Sequence, residues 1–423
     1  MLFCYSRKGI EIAQEIIDKT AMGSLTDVST KFALDLLRQL SEGNRTENIF
    51  FSPLSISTAL LMVHLGARGS TLIQLAKVLH LGGEEQPHHG FQQLQCEVNK
   101  PSPSHLLKTA NGLFGERSFS FHPGYIESIS RFHKAELTAV DFAEGAEEAR
   151  IQINSWVEEQ TEGKIQNLLV QGAVDSQSKL VLVNAVYFKG VWEKKFNEED
   201  TKYRPFRFSE VTASVRKIFC QSFNIVIGNL LTNIFGQTES KSVKMMYQKG
   251  TFKTSFIEEL AADILELPYV QNELSMLILL PEEIGGLEEL EKKLTSDKLL
   301  EWTSPENLEP SKMSIYLPKF KLEAKYDLEP TLKRLGISAA FDSESADFSG
   351  MTAAGGLSLS KIVHNCFVEV NEAGTEGAAS SQVTMMFRSL HFEDEFIADH
   401  PFLFFIRHNK TRSILFFGRF SSP

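Results

Sequence analysis

The run from Leu180 to Phe188, LVLVNAVYF, constrains the possible fold more than any other stretch. It is almost wholly apolar, and most of its side chains are β-branched or aromatic. A strand with one solvent-exposed face alternates between apolar and polar residues, whereas a strand covered on both faces is continuously apolar. The run therefore predicts a central strand that is buried on both sides, in a chain of 423 residues that is long enough to bury a large core.

Further strand patterns lie in the second half of the chain. They are Leu274–Glu283, Lys312–Leu322, Leu357–Glu372, and two apolar runs around the polar turn His408–Arg412 that predict a hairpin.

Helical patterns dominate the first half. Phe32, Leu36 and Leu40 lie on one helix face with Ser29 as the expected N-cap, and Pro53 stands near the start of a second helix. Helices followed by strands predict an α+β fold in one large domain.

Two segments stand apart from this pattern. Residues 1–21 have no clear place in a core, so we expect an N-terminal extension outside the fold and a single domain over residues 22–423. Residues 211–237 contain no acidic residue, two basic residues and many apolar ones. We interpret them as an atypical insertion, either an apolar loop that packs on the domain or, as we prefer, a segment outside the working fold.

Composition argues against several functional classes. The formal net charge of -11 leaves no basic excess for nucleic-acid phosphates, and no uncharged apolar run reaches the ~18–20 residues of a membrane span. The four cysteines form no C-x-x-C pair, and the N-terminus lacks a signal-peptide pattern. We expect a cytoplasmic monomer with free thiols, no cofactor and no metal site, with release without a signal peptide left open. The adjacent pair His88 and His89 is not expected to bind metal.

Enzyme motifs are absent from the sequence. It has no G-x-S-x-G elbow, no H-E-x-x-H pair and no G-x-x-x-x-G-K-[ST] loop, so we predict no catalytic residues and no enzymatic activity. Ser52 and His364 lie in apolar runs. We interpret them as buried polar residues that satisfy each other rather than as parts of a catalytic triad.

The segment from Asn371 to Leu390, NEAGTEGAASSQVTMMFRSL, lies between two strongly apolar stretches. Alternate side chains of a strand point to opposite faces. In an extended conformation one face would carry small and then apolar residues, and the other the charge and most remaining polar groups. A segment patterned as a strand, yet small enough at its start to stay a loop, suggests insertion into a sheet.

On these features the chain resembles the serpins, and within them the ovalbumin-type (clade B) intracellular branch. The resemblance covers nearly the whole chain from residue 22 to residue 423. Its motifs are Asn48–Leu60, Ile153–Ile165, Leu182–Trp192, Val368–Ser380 and Phe396–Arg407. Near the end of the loop segment, residues 384–389, TMMFRS, are most similar to the placental thrombin inhibitor type. The resemblance implies the serpin fold, with helices around a large, mostly antiparallel central sheet, two smaller sheets and an exposed reactive loop.

The resemblance also implies suicide-type inhibition of trypsin-like serine proteases. The protease attacks the reactive loop and forms an acyl-enzyme, and the loop then inserts into the main sheet as a new strand and traps it. The family cleaves fourteen residues after the hinge glycine, which from Gly374 gives the reactive bond Arg388–Ser389. A shifted cleavage at Met386 or Phe387, suited to chymotrypsin-like proteases, remains open.

By the same resemblance, two further groups of residues have roles in insertion. The hinge consists of Glu372, Gly374, Thr375, Glu376, Gly377, Ala378, Ala379, Ser380 and Ser381. The shutter beneath the opening sheet consists of Ser52, Ser55, Asn184 and His364, with Trp192 in the breach at its top. The main alternative is a non-inhibitory serpin that acts as a binding or storage protein, and the small hinge residues argue against it.

Overall fold

The computed structural model describes residues 7–43, 46–82, 86–102, 105–209, 239–375 and 394–423, and for residues 7–22, 24, 209 and 375 the backbone alone. The predicted insertion 211–237, the hinge residues Glu376–Ser381 and the bond Arg388–Ser389 lie outside the described residues.

The described residues form nine α-helices and fifteen strands. The helices are α1 Arg7–Ser41, α2 Pro53–Gly66, α3 Gly69–Val78, α4 Pro87–Val98, α5 Pro123–His133, α6 Phe142–Gln160, α7 Leu287–Lys293, α8 Ser296–Trp302 and α9 Glu329–Leu335. The strands are β1 Ile49–Phe51, β2 His105–Glu116, β3 Glu136–Val140, β4 Leu180–Val191, β5 Lys202–Ser209, β6 Glu239–Ile257, β7 Ala262–Pro268, β8 Leu274–Pro281, β9 Glu309–Pro318, β10 Phe320–Asp327, β11 Leu359–Asn371, β12 Gly374–Thr375, β13 Asp394–Ile397, β14 Phe402–His408 and β15 Ser413–Phe420.

These strands form two sheets, which confirms the α+β class. A six-stranded sheet has the order β10-β11-β12-β4-β2-β3, with β11 also pairing directly with β4. A nine-stranded sheet has the order β1-β15-β14-β8-β7-β6-β9-β13, with β5 on β6. The two smaller sheets implied by the resemblance form one continuous sheet here, because β6 pairs with β5 and β9 along most of its length and with β7 at its end.

Strand β4 is covered on both faces, as its apolar run predicted. Leu180 and Leu182 join the main core, which includes the buried side chains of α2. Val181 and Val183 point the other way, into a second cluster with buried residues of α6. The sheet is therefore a middle layer between α2 and α6, and a side chain on β4 faces one or the other according to its parity.

One strand prediction was wrong, and the predicted hairpin was right. The run Lys312–Leu322 is not one strand: β9 ends at Pro318 and pairs with β6, whereas β10 begins at Phe320 and pairs with β11 in the other sheet. Pro318 has no N–H to continue the ladder, so the chain can change sheets there. The predicted C-terminal hairpin is confirmed by the antiparallel pairing of β14 with β15.

Ser29 is not an N-cap. Helix α1 begins at Arg7, and no proline interrupts the chain between that residue and Ser29. The backbone of residues 7–21 is thus continuous with a helix whose later turns are buried, and the placement of residues 1–21 outside the working fold stays a prediction. Among the described residues, no helix is long and apolar enough to cross a membrane.

The environment of Ser29 gives a direct test of this helix. The Ser29 hydroxyl is buried and has no hydrogen-bond partner among the described residues, whereas the Thr26 hydroxyl bonds to the carbonyl oxygen of Thr411 at 2.9 Å. We expect Ser29→Ala to raise the free energy of unfolding by about 0.5–1 kcal/mol, because it removes an unpaired hydroxyl and improves helix propensity. Thr26→Ala should lower it by about 1 kcal/mol. Urea denaturation measures both, and a loss on Ser29→Ala would contradict the continuous helix.

Candidate functional site

The six-stranded sheet contains an unusual contact between β4 and β11. These strands pair in parallel from Leu180–Leu359 to Tyr187–Phe367, although each is antiparallel to its outer neighbour, β2 or β10. We call this parallel contact the seam. Above its last pair the strands part, and β12 lies between them, antiparallel to both. The seam is therefore a place where one more antiparallel strand fits the sheet.

A row of polar side chains crosses the sheet at the middle of the seam. Asn111, Asn184, His364 and Tyr326 lie directly opposite one another on β2, β4, β11 and β10. Asn184 and His364 are both almost fully buried. We call these four residues the polar row. Buried polar groups of this kind must be hydrogen bonded. The bonds among Asn111, Asn184 and His364 fix the register of β2, β4 and β11, whereas the Tyr326 hydroxyl accepts from the N–H of Phe50 at 3.2 Å.

The hydrogen bonds of the polar row connect the seam to the start of α2. Nδ1 of His364 bonds to Oδ1 of Asn184, and Nε2 accepts from the backbone N–H of Ser52 at 3.1 Å. Nδ2 of Asn184 donates to Oγ of Ser55 and to Oδ1 of Asn111. Since a carboxamide oxygen only accepts and a backbone N–H only donates, His364 is the neutral tautomer with its proton on Nδ1.

Burial keeps His364 neutral. It lowers the pKa of the imidazole from 6.5 to about 3. A second proton on Nε2 would also face the N–H of Ser52, so two donors would point at each other. The Ser52 hydroxyl donates to the carbonyl oxygen of Leu415 at 2.7 Å and accepts from the N–H of Ser55 at the start of α2. As expected, Ser52 and His364 act as mutually satisfied buried groups, and the hydroxyl is not directed at the imidazole.

The upper end of the seam is built around Trp192, which follows β4. Its Nε1 donates to the carbonyl oxygen of Asn371 at 3.0 Å, and its ring stacks on Tyr269 with centroids 4.5 Å apart. The backbone N–H of Trp192 donates to the carbonyl oxygen of Ala373 at 3.1 Å. Trp192 therefore holds the end of β11 and the start of β12 against the top of β4.

Gly374 is the residue at which the chain turns into β12. Its φ of +146° is rarely adopted by residues with a side chain, and a Cβ there would lie 2.1 Å from the carbonyl oxygen of Gly190. The side-chain oxygen of Asn371 accepts from the N–H groups of Ala373 and Gly374 at 3.0 and 3.2 Å. Only glycine fits this turn, which directs the backbone of Thr375 into the space between β4 and β11.

Glu372 anchors the same turn through its carboxylate. Its oxygens accept from Nζ of Lys319 and from Oγ1 of Thr201, both at 2.9 Å. Burial alone would raise the pKa of this carboxyl, but hydrogen bonds from Lys319, its own backbone amide and Thr201 outweigh it, so the pKa lies below its ordinary value. Glu372 is thus a buried, ionised group with a paired charge.

The structure brings the described members of the predicted site into two clusters. Ser52, Ser55, Asn184 and His364 meet at the polar row, and Trp192, Glu372 and Gly374 meet at the upper end of the seam. Sequence reasoning missed further participants, which are Asn111, Tyr326, Asn371, Tyr269, Lys319 and Thr201. The one available signal in the sequence was Asn111 itself, a polar residue within a strand-like run. Its partner, Asn184, could be found only from the cross-strand register.

Comparison with known proteins identifies this arrangement. The family model described as Serpin (serine protease inhibitor) matches residues 27–224 and 233–423. The chain is 48% identical over 406 residues to a leukocyte elastase inhibitor of Equus caballus, covering 95% of this chain and 100% of that protein. Among solved structures, uncleaved ovalbumin superposes with a TM-score of 0.80 at 38% identity, over 94% of this chain and 100% of ovalbumin. A loop-inserted, P1–P1′ cleaved ovalbumin mutant gives 0.79 at 37%, over the same shares.

The chain belongs to the serpin family, and its fold is the serpin fold. Within the family it falls with the ovalbumin-type, clade B members. The gap in the family match at residues 225–232 lies inside the predicted insertion 211–237. The assignment of that segment as lying outside the working fold stays a prediction.

The low pKa of His364 predicts acid sensitivity of the fold. Because its pKa of about 3 in the folded protein lies below the 6.5 of the unfolded chain, this contribution to stability is complete above about pH 6.5 and is lost as the pH falls toward 3. Lowering the pH to about 5 should cost about 2 kcal/mol of unfolding free energy through this residue. Urea titrations of the wild type and of His364→Gln at about pH 7 and about pH 5 measure the loss of unfolding free energy in each protein. An equal loss in the two proteins would contradict the prediction for His364.

Proposed function

We propose that this protein is a suicide-type inhibitor of trypsin-like serine proteases, cleaved at Arg388–Ser389. The single observation that carries the proposal is β12, whose two residues already lie antiparallel between β4 and β11. If the chain continues in that direction after cleavage, it replaces one parallel contact by two antiparallel ladders. Antiparallel pairs are slightly more stable per residue than parallel ones, and each new ladder adds backbone hydrogen bonds.

The two clusters have distinct roles in this proposal. Ser52, Ser55, Asn184 and His364 form the shutter, whose hydrogen bonds must rearrange when the strands part. Trp192 forms the breach and positions the start of the entering strand. The residues from Glu372 to Ser381 form the hinge. The protein supplies no catalytic group, because the target protease performs the cleavage.

The protease specificity depends on which bond of the reactive loop is cleaved, because the residue before that bond occupies the primary pocket of the protease. Arg388 suits a primary pocket with an aspartate at its base, and the ending TMMFRS supports a likeness to the placental thrombin inhibitor type. The name of one relative, leukocyte elastase inhibitor, supports instead a target that is not trypsin-like, and the shifted cleavage at Met386 or Phe387 is the alternative for chymotrypsin-like proteases. A cytoplasmic, monomeric protein agrees with either specificity.

Mixing the protein with trypsin, thrombin and elastase tests the reactive bond. We expect SDS-stable complexes with trypsin and thrombin and a released peptide that begins at Ser389. Arg388→Ala should slow both reactions by about 10²–10³-fold, because the pocket carboxylate then stays buried without its cation. Arg334→Ala, at an exposed arginine of α9, is the matched control and should not change the rate.

The released peptide separates the alternatives. A peptide that begins at Phe387 or Arg388, together with an elastase complex, would move the reactive bond and contradict trypsin-like specificity. Clean digestion with no stable complex for any of the three proteases would favour a non-inhibitory serpin that acts as a binding or storage protein.

A charge at the first inserting residue tests the mechanism itself. The backbone of Thr375 pairs with Val370 on β11 and Gly190 on β4. We expect Thr375→Arg to convert the inhibitor into a substrate, because an unpaired charge in the seam slows insertion at least about tenfold while deacylation continues. Titration of trypsin with the variant would then show a much higher stoichiometry of inhibition. Thr375→Ser is the control, and an unchanged stoichiometry for the arginine variant would refute insertion at this site.

A further inference from the structure

The last pair of the seam is aromatic on both strands. Tyr187 on β4 and Phe367 on β11 are direct cross-strand partners, and they form the topmost parallel pair. Their rings stack with centroids 6.1 Å apart at an interplanar angle of 26°. Both residues are buried, with exposed fractions of 2% and 9%. The ring pair thus bridges the two strands between which β12 enters.

A cation lies over each ring of this pair. Nζ of Lys321, on β10, is 4.7 Å from the ring centroid of Phe367. Nζ of Lys164, in the connection that follows α6, is 5.3 Å from the ring centroid of Tyr187. Cation–π contacts of this geometry add to the stacking energy. The row of four side chains therefore runs from the α6 connection across β4 and β11 to the neighbouring strand.

The ring pair lies on the opposite face of the sheet from the polar row. Odd-numbered residues such as Val183 and Val363 belong to the cluster under α6, whereas Asn184 and His364 face α2 through Ser55 and Ser52. Tyr187 and Phe367 have the odd parity and so share the α6 face. The seam is closed by different chemistry on its two faces, with hydrogen bonds on one and an aromatic pair on the other.

Insertion cannot proceed beyond β12 while the rings remain stacked. Neighbouring strands are about 4.8 Å apart, so one inserted strand would move β4 and β11 to about 10 Å. At that separation the two rings no longer touch. Residues 374–375 pair above the Tyr187–Phe367 rung, so the ring pair is the first seam contact that the next residues must open.

We propose that the Tyr187–Phe367 pair is a clasp whose strength sets the rate of strand insertion. This inference rests on the proposed function, because it assumes that the seam receives the cleaved loop. The clasp holds the seam closed before cleavage and delays its opening afterwards. The clasp therefore sets the ratio of two outcomes after the protease attacks the loop. Either insertion traps the acyl-enzyme, or deacylation releases the inhibitor as a cleaved substrate. Both residues are positioning residues, since neither contacts the reactive bond.

Uptake of a synthetic peptide tests the clasp without any protease. The probe is a fluorescent peptide with the sequence of residues 375–386, TEGAASSQVTMM, and its incorporation into the intact protein is followed by anisotropy. We expect Phe367→Leu and Tyr187→Leu each to accelerate uptake about three- to tenfold, the range expected for loss of an aromatic pair. The double variant should be no faster than the faster single variant, because each substitution already removes the same contact.

A second aromatic pair supplies the matched control. Tyr247 and Tyr316 are cross-strand partners on β6 and β9, with ring centroids 5.0 Å apart and the guanidinium of Arg204 4.0 Å from the Tyr316 ring. This pair has the same chemistry but lies in the other sheet, away from the seam. Tyr316→Leu should leave peptide uptake within about 1.5-fold of the wild-type rate, since residues far from the seam act independently of it.

The outcomes distinguish the clasp from the inhibitory function. If the wild type takes up the peptide and traps trypsin but both leucine variants take up the peptide at the wild-type rate, the clasp is wrong and the inhibition stands. Equal acceleration by Tyr316→Leu, or additive acceleration in the double variant, would assign the effect to general loosening and overturn the clasp. Absence of uptake by the wild type and by both leucine variants would overturn the clasp, whereas the inhibitory function is overturned only if no protease forms a stable complex.

Discussion

The parallel contact between β4 and β11 is the constraint on which the rest of the structure depends. Both strands use their other edge for antiparallel pairing, with β2 and β10 respectively. The second parallel contact of this sheet, between β2 and β3, lies at its edge. A central contact of the less stable kind is therefore surrounded by more stable ladders. The sheet is complete as it stands, yet it would gain hydrogen bonds by admitting one antiparallel strand.

In the proposed mechanism the seam must stay closed until the strand arrives, and each face of the sheet contributes contacts that hold β4 against β11. On the α2 face, the neutral His364 uses one nitrogen to donate to Asn184 and the other to accept from the N–H of Ser52. Separating the strands without replacing these bonds would cost about 1–3 kcal/mol for each buried group left unpaired. On the α6 face, the stacked rings of Tyr187 and Phe367 lose dispersion and quadrupole attraction when they part. Hydrogen bonds on the α2 face and ring stacking on the α6 face thus hold the same two strands, β4 and β11, together.

Local sequence patterns predicted the covered strand Leu180–Phe188 and the C-terminal hairpin, and the resemblance located Asn184, His364 and Trp192 in the site. What sequence could not supply was register. Asn111 and Tyr326 join the polar row because four strands align at one rung, and that alignment depends on contacts between residues far apart in the chain. The N-cap prediction for Ser29 was wrong for a different reason. The capping pattern is a local one, whereas helix α1 continues through Ser29 from Arg7 to Ser41.

The upper end of the seam connects both sheets. Lys319, which pairs with Glu372, is the residue between β9 of the nine-stranded sheet and β10 of the six-stranded sheet. Tyr269, on which Trp192 stacks, directly follows β7 of the nine-stranded sheet. The turn at Gly374 is therefore held by groups whose positions depend on how the two sheets meet. Any movement of β11 away from β4 must disturb these contacts as well. In the proposed mechanism, entry of a strand at the top and opening of the polar row below are therefore mechanically linked through β11 itself.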